Sequence, residues 1–132
     1  MSQFQYDGEI DTFKRMIGIN PINNYVLHLF SNERTPGKSD TINEFTEIVG
    51  GGYASIEILP GDWTISDNSG VTIMSVTKNF HFTSAVAVVY GCYITNNNGT
   101  ILIHAEALTD APVEILGGGG DIEINLSFQF NG

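Results

Sequence analysis

The sequence predicts an all-β chain: an antiparallel β-sandwich, jelly-roll-like, preceded by a short N-terminal helix or arm. Three observations predict it. Segments that alternate apolar and polar residues recur from Tyr25 to the C-terminus, the signature of strands with one buried face. Clusters of Gly, Pro, Asn and Ser separate them at the short intervals typical of sandwiches and barrels. Helical spacing is confined to the residues before Asn20, where Asp11 can cap a turn carrying Phe13, Met16 and Ile17 before Gly18 ends it.

The chain therefore divides into an N-terminal arm or short helix over residues 1–24 and a β-sandwich domain over residues 25–132. Phe4, Tyr6, Phe13, Met16 and Ile17 put large apolar groups into the arm, so these residues either serve assembly and attachment or cap one end of the sandwich. In the second unit, strands are expected in YVLHLFS (Tyr25 to Ser31), YASIEIL (Tyr53 to Leu59), VTIMSV (Val71 to Val76), AVAVVYGCYIT (Ala85 to Thr95), TILIHAEAL (Thr100 to Leu108) and DIEINLSFQF (Asp121 to Phe130). Asn97-Asn98-Gly99 supplies the positive φ angles of a tight hairpin, so the two strands it joins are antiparallel neighbours. The expected inward residues are Ile56, Ile58, Ile73, Tyr90, Ile94, Ile101, Ile103, Ile124, Leu126 and Phe128.

Gly50, Gly51 and Gly52 stand between two strand-like runs. A phosphate cradle needs a helix after its glycines, so this triplet reads as a sheet corner that frees Tyr53 to begin a new register. NERTPGKS (Asn32 to Ser39) ends like a P-loop, but Asn32 replaces the first glycine and Pro36 removes a backbone donor. It reads as a polar hairpin loop.

Composition limits the partners. A net charge of −10 repels phosphate backbones and anionic lipid heads, and Lys14, Arg15, Arg34, Lys38 and Lys78 are too scattered for a nucleic-acid stripe. No run approaches the roughly 18 apolar residues of a membrane span, and the acidic N-terminus does not read as a secretory signal, so export by the usual route is not expected. His28, His81 and His104 lack the short-range partners of a metal site, and Cys92 reads as a small core residue rather than a nucleophile. Glu106 and Asp62 are the carboxylates closest to an acid–base reading, against a solvated strand end and a turn residue. Asp67 to Gly70 resembles part of a calcium loop without its later acidic ligand. The expectation is no catalytic residues, no cofactor and no metal. A second class stays open: Tyr53, Trp63, Tyr90 and Tyr93 could line an aromatic surface that binds a carbohydrate or receptor.

Several motifs in order complete the reading: LHLFSN with Thr35-Pro36, FTEIVGGGYA with Trp63, FHF (Phe80 to Phe82), VYGCYIT, ILIHAEAL with Pro112, and a closing Gly-Asp before an alternating strand. Over Tyr25 to Gly132 this pattern resembles a family of small structural proteins of tailed bacteriophages. At the position before Ala105-Glu106, where an aromatic residue is expected, this chain has His104. The resemblance implies a non-enzymatic virion protein, a capsid decoration or cement protein bound to the outer surface of a phage head through the major capsid protein or another virion protein. It also implies a homotrimer, and its alternative is a carbohydrate- or receptor-binding module of a tail or fibre adaptor.

Overall fold

The computed structural model describes residues 24–68 and 70–131. They form nine strands: β1 (Tyr25–Phe30), β2 (Ile56–Ile58), β3 (Thr64–Asn68), β4 (Val71–Phe82), β5 (Val86–Val89), β6 (Gly91–Asn96), β7 (Leu102–Ala107), β8 (Val113–Ile115) and β9 (Gly120–Asn131). Single 3-10 turns occupy Ile42–Glu44 and Pro60–Asp62. One sheet has the order β2-β1-β6-β7, a second β3-β4-β9, and β5 pairs with β8. Every pairing among these strands is antiparallel. The strand orders establish the all-β antiparallel class and not the jelly-roll arrangement. The expected N-terminal helix lies outside the described residues.

Alternation in the sequence becomes two-faced strands, and the apolar faces of all three sheets meet in one core. Tyr25, Leu27 and Leu29 of β1, Met74, Val76, Phe80 and Phe82 of β4, Cys92 and Ile94 of β6, and Ile122, Ile124, Leu126 and Phe128 of β9 belong to it. The longest pairing runs from Val71 opposite Asn131 to Phe82 opposite Gly120 and sets the second sheet's register. A smaller cluster of Phe30, Phe45, Tyr93, Leu102 and Ala105 covers the other face of the four-stranded sheet. The excursion between β1 and β2 brings Phe45 there, 4.9 Å from the ring of Phe30 and stacked 5.3 Å from that of Tyr93.

Three expected inward residues are placed differently. Ile73 is half-buried because Phe80 and Phe82 fix the parity of β4 and turn Met74 and Val76 inward instead. Ile101 is 53% exposed, since the strand begins only at Leu102. A register shift between Ile94 and Thr95 then places His104 opposite Ile94. Tyr90 falls in a break between β5 and β6 and packs against the smaller cluster.

The triple glycine is a corner, as its setting between strands implies. Gly50, Gly51 and Gly52 have φ of 88°, 66° and 81°, a region L side chains rarely adopt. The corner also docks. The Gly51 carbonyl accepts the Thr83 N–H at 2.9 Å, and a Cβ on Gly51 would lie 2.4 Å from Val86 Cγ2.

Candidate functional site

Beside the smaller cluster, the side chains of His28, Glu47, Tyr53 and Thr95 form one connected hydrogen-bond network. His28 projects from β1 onto the face opposite the main core and stacks on Tyr93 with ring centroids 4.6 Å apart. Its Nδ1 lies 2.7 Å from Glu47 Oε2, and its Nε2 lies 2.9 Å from Thr95 Oγ1. A carboxylate only accepts, so Nδ1 carries a proton and donates to Glu47. Tyr53, just beyond the glycine corner, donates its O–H to Glu47 Oε2 at 2.7 Å and accepts the Leu29 N–H at 3.0 Å. Its ring stacks on Phe80 and Phe82. Burial first, and then the bond to Glu47, push the Tyr53 phenol far above its ordinary value. Burial, with the Glu47 charge second, pushes Tyr93 up to about 12.

Thr95, His28 and Glu47 have the connectivity of a nucleophile, base and orienting acid. The hydroxyl at the end of that chain is buried. Thr95 is 1% exposed, and neither of the two clefts described below is lined by it. What the network does is join chain segments: Glu47 ties the glycine corner to β1 through His28 and Tyr53, and Thr95 ties β6 into the same chain of bonds. Sequence reasoning treated His28 as solitary because Glu47 and Thr95 lie 19 and 67 residues away. No local spacing carries that signal.

The remaining sequence candidates take up structural positions. In the loop that ends like a P-loop, the anion is the chain's own. Arg34 grips Asp40 through Nε at 2.9 Å and Nη2 at 2.6 Å, and the Gly37 N–H donates to Asp40 Oδ2 at 2.9 Å. The Arg34 bonds, joined by the Gly37 amide, hold the Asp40 carboxyl below the usual carboxylate range. Asp62 accepts Lys78 Nζ at 2.7 Å and the Leu59 N–H at 2.8 Å, and the Lys78 bond lowers it in the same way. Burial pushes the Cys92 thiol far up, with the Glu106 charge second, the opposite of an activated nucleophile. Glu106 receives His104 Nε2 at 3.1 Å. No trio of His, Cys, Asp or Glu among the described residues is disposed to hold a metal ion. The calcium reading of Asp67 to Gly70 falls partly outside those residues, as do the attachment candidates Phe4, Tyr6, Phe13, Met16 and Ile17.

The expected aromatic surface does not form. Trp63 is 7% exposed in the main core against Phe128, and Tyr93 is 4% exposed in the smaller cluster. Tyr53 is spent in the network, and Tyr90 is half-buried, its ring tilted against Phe30. The gain from removing an indole from water favours burying Trp63 against Phe128 over presenting it on a surface.

Clefts lined by described residues include the following two. One, of about 470 Å³, lies beside the glycine corner and is lined by Ile48, Val49, Val86 and Val88 with Ser31, Thr46 and Glu47. Val49 is 90% exposed there. The other, of about 430 Å³, lies between β7 and β9. No family model, curated protein or solved structure matches this chain.

Proposed function

We propose that the chain is a non-enzymatic structural protein of a bacteriophage virion, a decoration protein that binds the outer surface of the head and associates as a trimer. The observation that carries this reading is where the resembling residues fall in the fold. Gly51 and Gly52 of the GGGYA motif make the corner, Tyr53 locks it to β1, and Phe80 and Phe82 of FHF receive the Tyr53 ring. Gly91 of VYGCYIT admits the Phe30 ring, since a Cβ there would lie 2.4 Å from Phe30 Cζ. Motifs spread along the sequence are thus one packing signature, which supports shared architecture with structural proteins rather than a shared catalytic centre. Val49, Leu116 and Ile101 supply exposed apolar surface that association would cover.

Co-sedimentation with purified phage heads that lack the protein tests the reading, with light scattering for the oligomer. Stoichiometric pelleting by the intact chain is the expected result, with binding lost and the fold kept on deleting residues 2–19. Failure of the intact chain to pellet contradicts head decoration. Undiminished binding by the truncated chain removes the attachment role of Phe4, Tyr6, Phe13, Met16 and Ile17.

A further inference from the structure

We propose that Asn98, at the tip of the hairpin joining β6 and β7, is a self-modifying site: the Gly99 backbone nitrogen displaces its side-chain amide, and the resulting succinimide opens to an aspartyl or isoaspartyl residue. The inference goes beyond the virion reading and stands without it.

The reaction needs three things. The nitrogen after the asparagine must be open to approach, the side chain must be free to turn onto it, and water must reach the ring. Glycine supplies the first, since a Cβ on the following residue would shield its nitrogen. The chain pairs Asn with Gly twice, at Asn98-Gly99 and at Asn131-Gly132, and the second pair ends outside the described residues. A Cβ built on Gly99 would meet nothing within 4 Å, so the space around the tip is open. As for the second, Asn98 is exposed, and none of the described residues hydrogen-bonds its side chain. The third follows, because residues 97–100 are all exposed.

The neighbouring amides differ. Asn96 Oδ1 accepts the N–H groups of Thr100 and Ile101 at 2.8 and 3.0 Å, and its Nδ2 donates to Thr100 Oγ1 at 2.9 Å. That side chain is held, and both Asn96 and Asn97 are followed by a residue that bears one. A single backbone bond opposes attack at Asn98: the Gly99 N–H donates to the Asn96 carbonyl at 3.0 Å. It closes an exposed turn, where local opening costs far less than unfolding. The Asn96 clamp therefore gates the reaction by holding the turn shut.

Once the turn opens, the Gly99 nitrogen loses its proton to hydroxide and bonds to Asn98 Cγ, while the Cγ–Nδ2 bond breaks and ammonia leaves with a proton from water. Water then opens the ring. Attack at Cγ restores the ordinary main chain with an aspartate side chain, whereas attack at the Asn98 carbonyl carbon routes the main chain through Cβ and Cγ. Either product puts a further negative charge near Ile101, which is 53% exposed, on a chain whose net charge is −10.

The full chain is held in warm, mildly alkaline buffer while peptide mapping by mass spectrometry follows amide-to-acid conversion at each asparagine, with enzymatic methylation identifying isoaspartate. Conversion at Asn98 should be at least about tenfold faster than at Asn96 or Asn97, the difference that a following side chain makes. Asn96→Ala, which removes the clamp, should speed it about threefold or more, whereas Phe128→Ala, which loosens the core and not the tip, should leave it within about twofold. Asn98→Gln should abolish the isoaspartate signal from the tip. An Asn98 rate no faster than those of its two neighbours overturns the proposal. So does a rate that rises with Phe128→Ala in step with global unfolding, or one indifferent to Asn96→Ala.

Discussion

The two faces of the four-stranded sheet are held by different forces. Behind it, β1 and β6 press Leu27, Leu29, Cys92 and Ile94 into a core shared with β4 and β9, where burial is non-directional and each side chain contributes by its area. In front, His28, Tyr93 and Thr95 meet a loop held by Phe45, by backbone bonds to β1 and by a few aligned hydrogen bonds to the Glu47 and Tyr53 side chains. The difference teaches where the molecule tolerates change. The core loses stability in proportion to the area removed, whereas in front one lost acceptor leaves two donors unpaired at once.

The comparison is broken most forcefully from behind. Phe128→Ala empties a fully buried site between Trp63 and His104 and should cost roughly 3–5 kcal/mol, read as a fall in the denaturation midpoint with the slope unchanged. At the junction of the two regions, Gly51→Ala forces an alanine to a φ of 66° and towards Val86, and should cost roughly 1–3 kcal/mol in the same measurement.

In front, Glu47→Ala leaves the Tyr53 hydroxyl and His28 Nδ1 without their shared acceptor. A loss of roughly 1–3 kcal/mol is expected in thermal melts, large for a half-exposed residue that buries little area. A neutral result would mean the front face is held by its aromatic packing alone.

The smallest effect sharpens the comparison by pH. Asp40 titrates lower in the folded chain than unfolded, so its contribution is complete above the ordinary carboxylate range and is lost as pH falls through the depressed value. Asp40→Asn should therefore lower stability at neutral pH and flatten its decline in acid, with Asp62 and Lys78 left intact as the remaining acid-sensitive pair.

How legible each region was follows from the same contrast. The long alternation of DIEINLSFQF identified β9 and its buried face, and Asn97-Asn98-Gly99 identified the β6–β7 hairpin, because both signals are local. β3 and β8 were missed: the first carries an exposed Ile65 on an outer strand, and the second has only three residues, too few for a period to emerge. The run from Ala85 to Thr95 read as one strand because its apolar residues continue through Tyr90, where the chain breaks between β5 and β6. The front network was invisible since its members meet only after folding. Gly50, Gly51 and Gly52 were read as a corner from their position between strands, but nothing near them announced that Tyr53 would lock that corner to Leu29.

That Glu47 fastens the corner loop to the front of the sheet is tested most directly by native-state hydrogen exchange on Glu47→Ala. The amides of Leu29, which donates to Tyr53, and Ile48, which donates to the Leu29 carbonyl, report the fastening. Their exchange should accelerate while amides of the β4–β9 pairing keep their protection. Equal acceleration at both places, or none at Leu29 and Ile48, would contradict it.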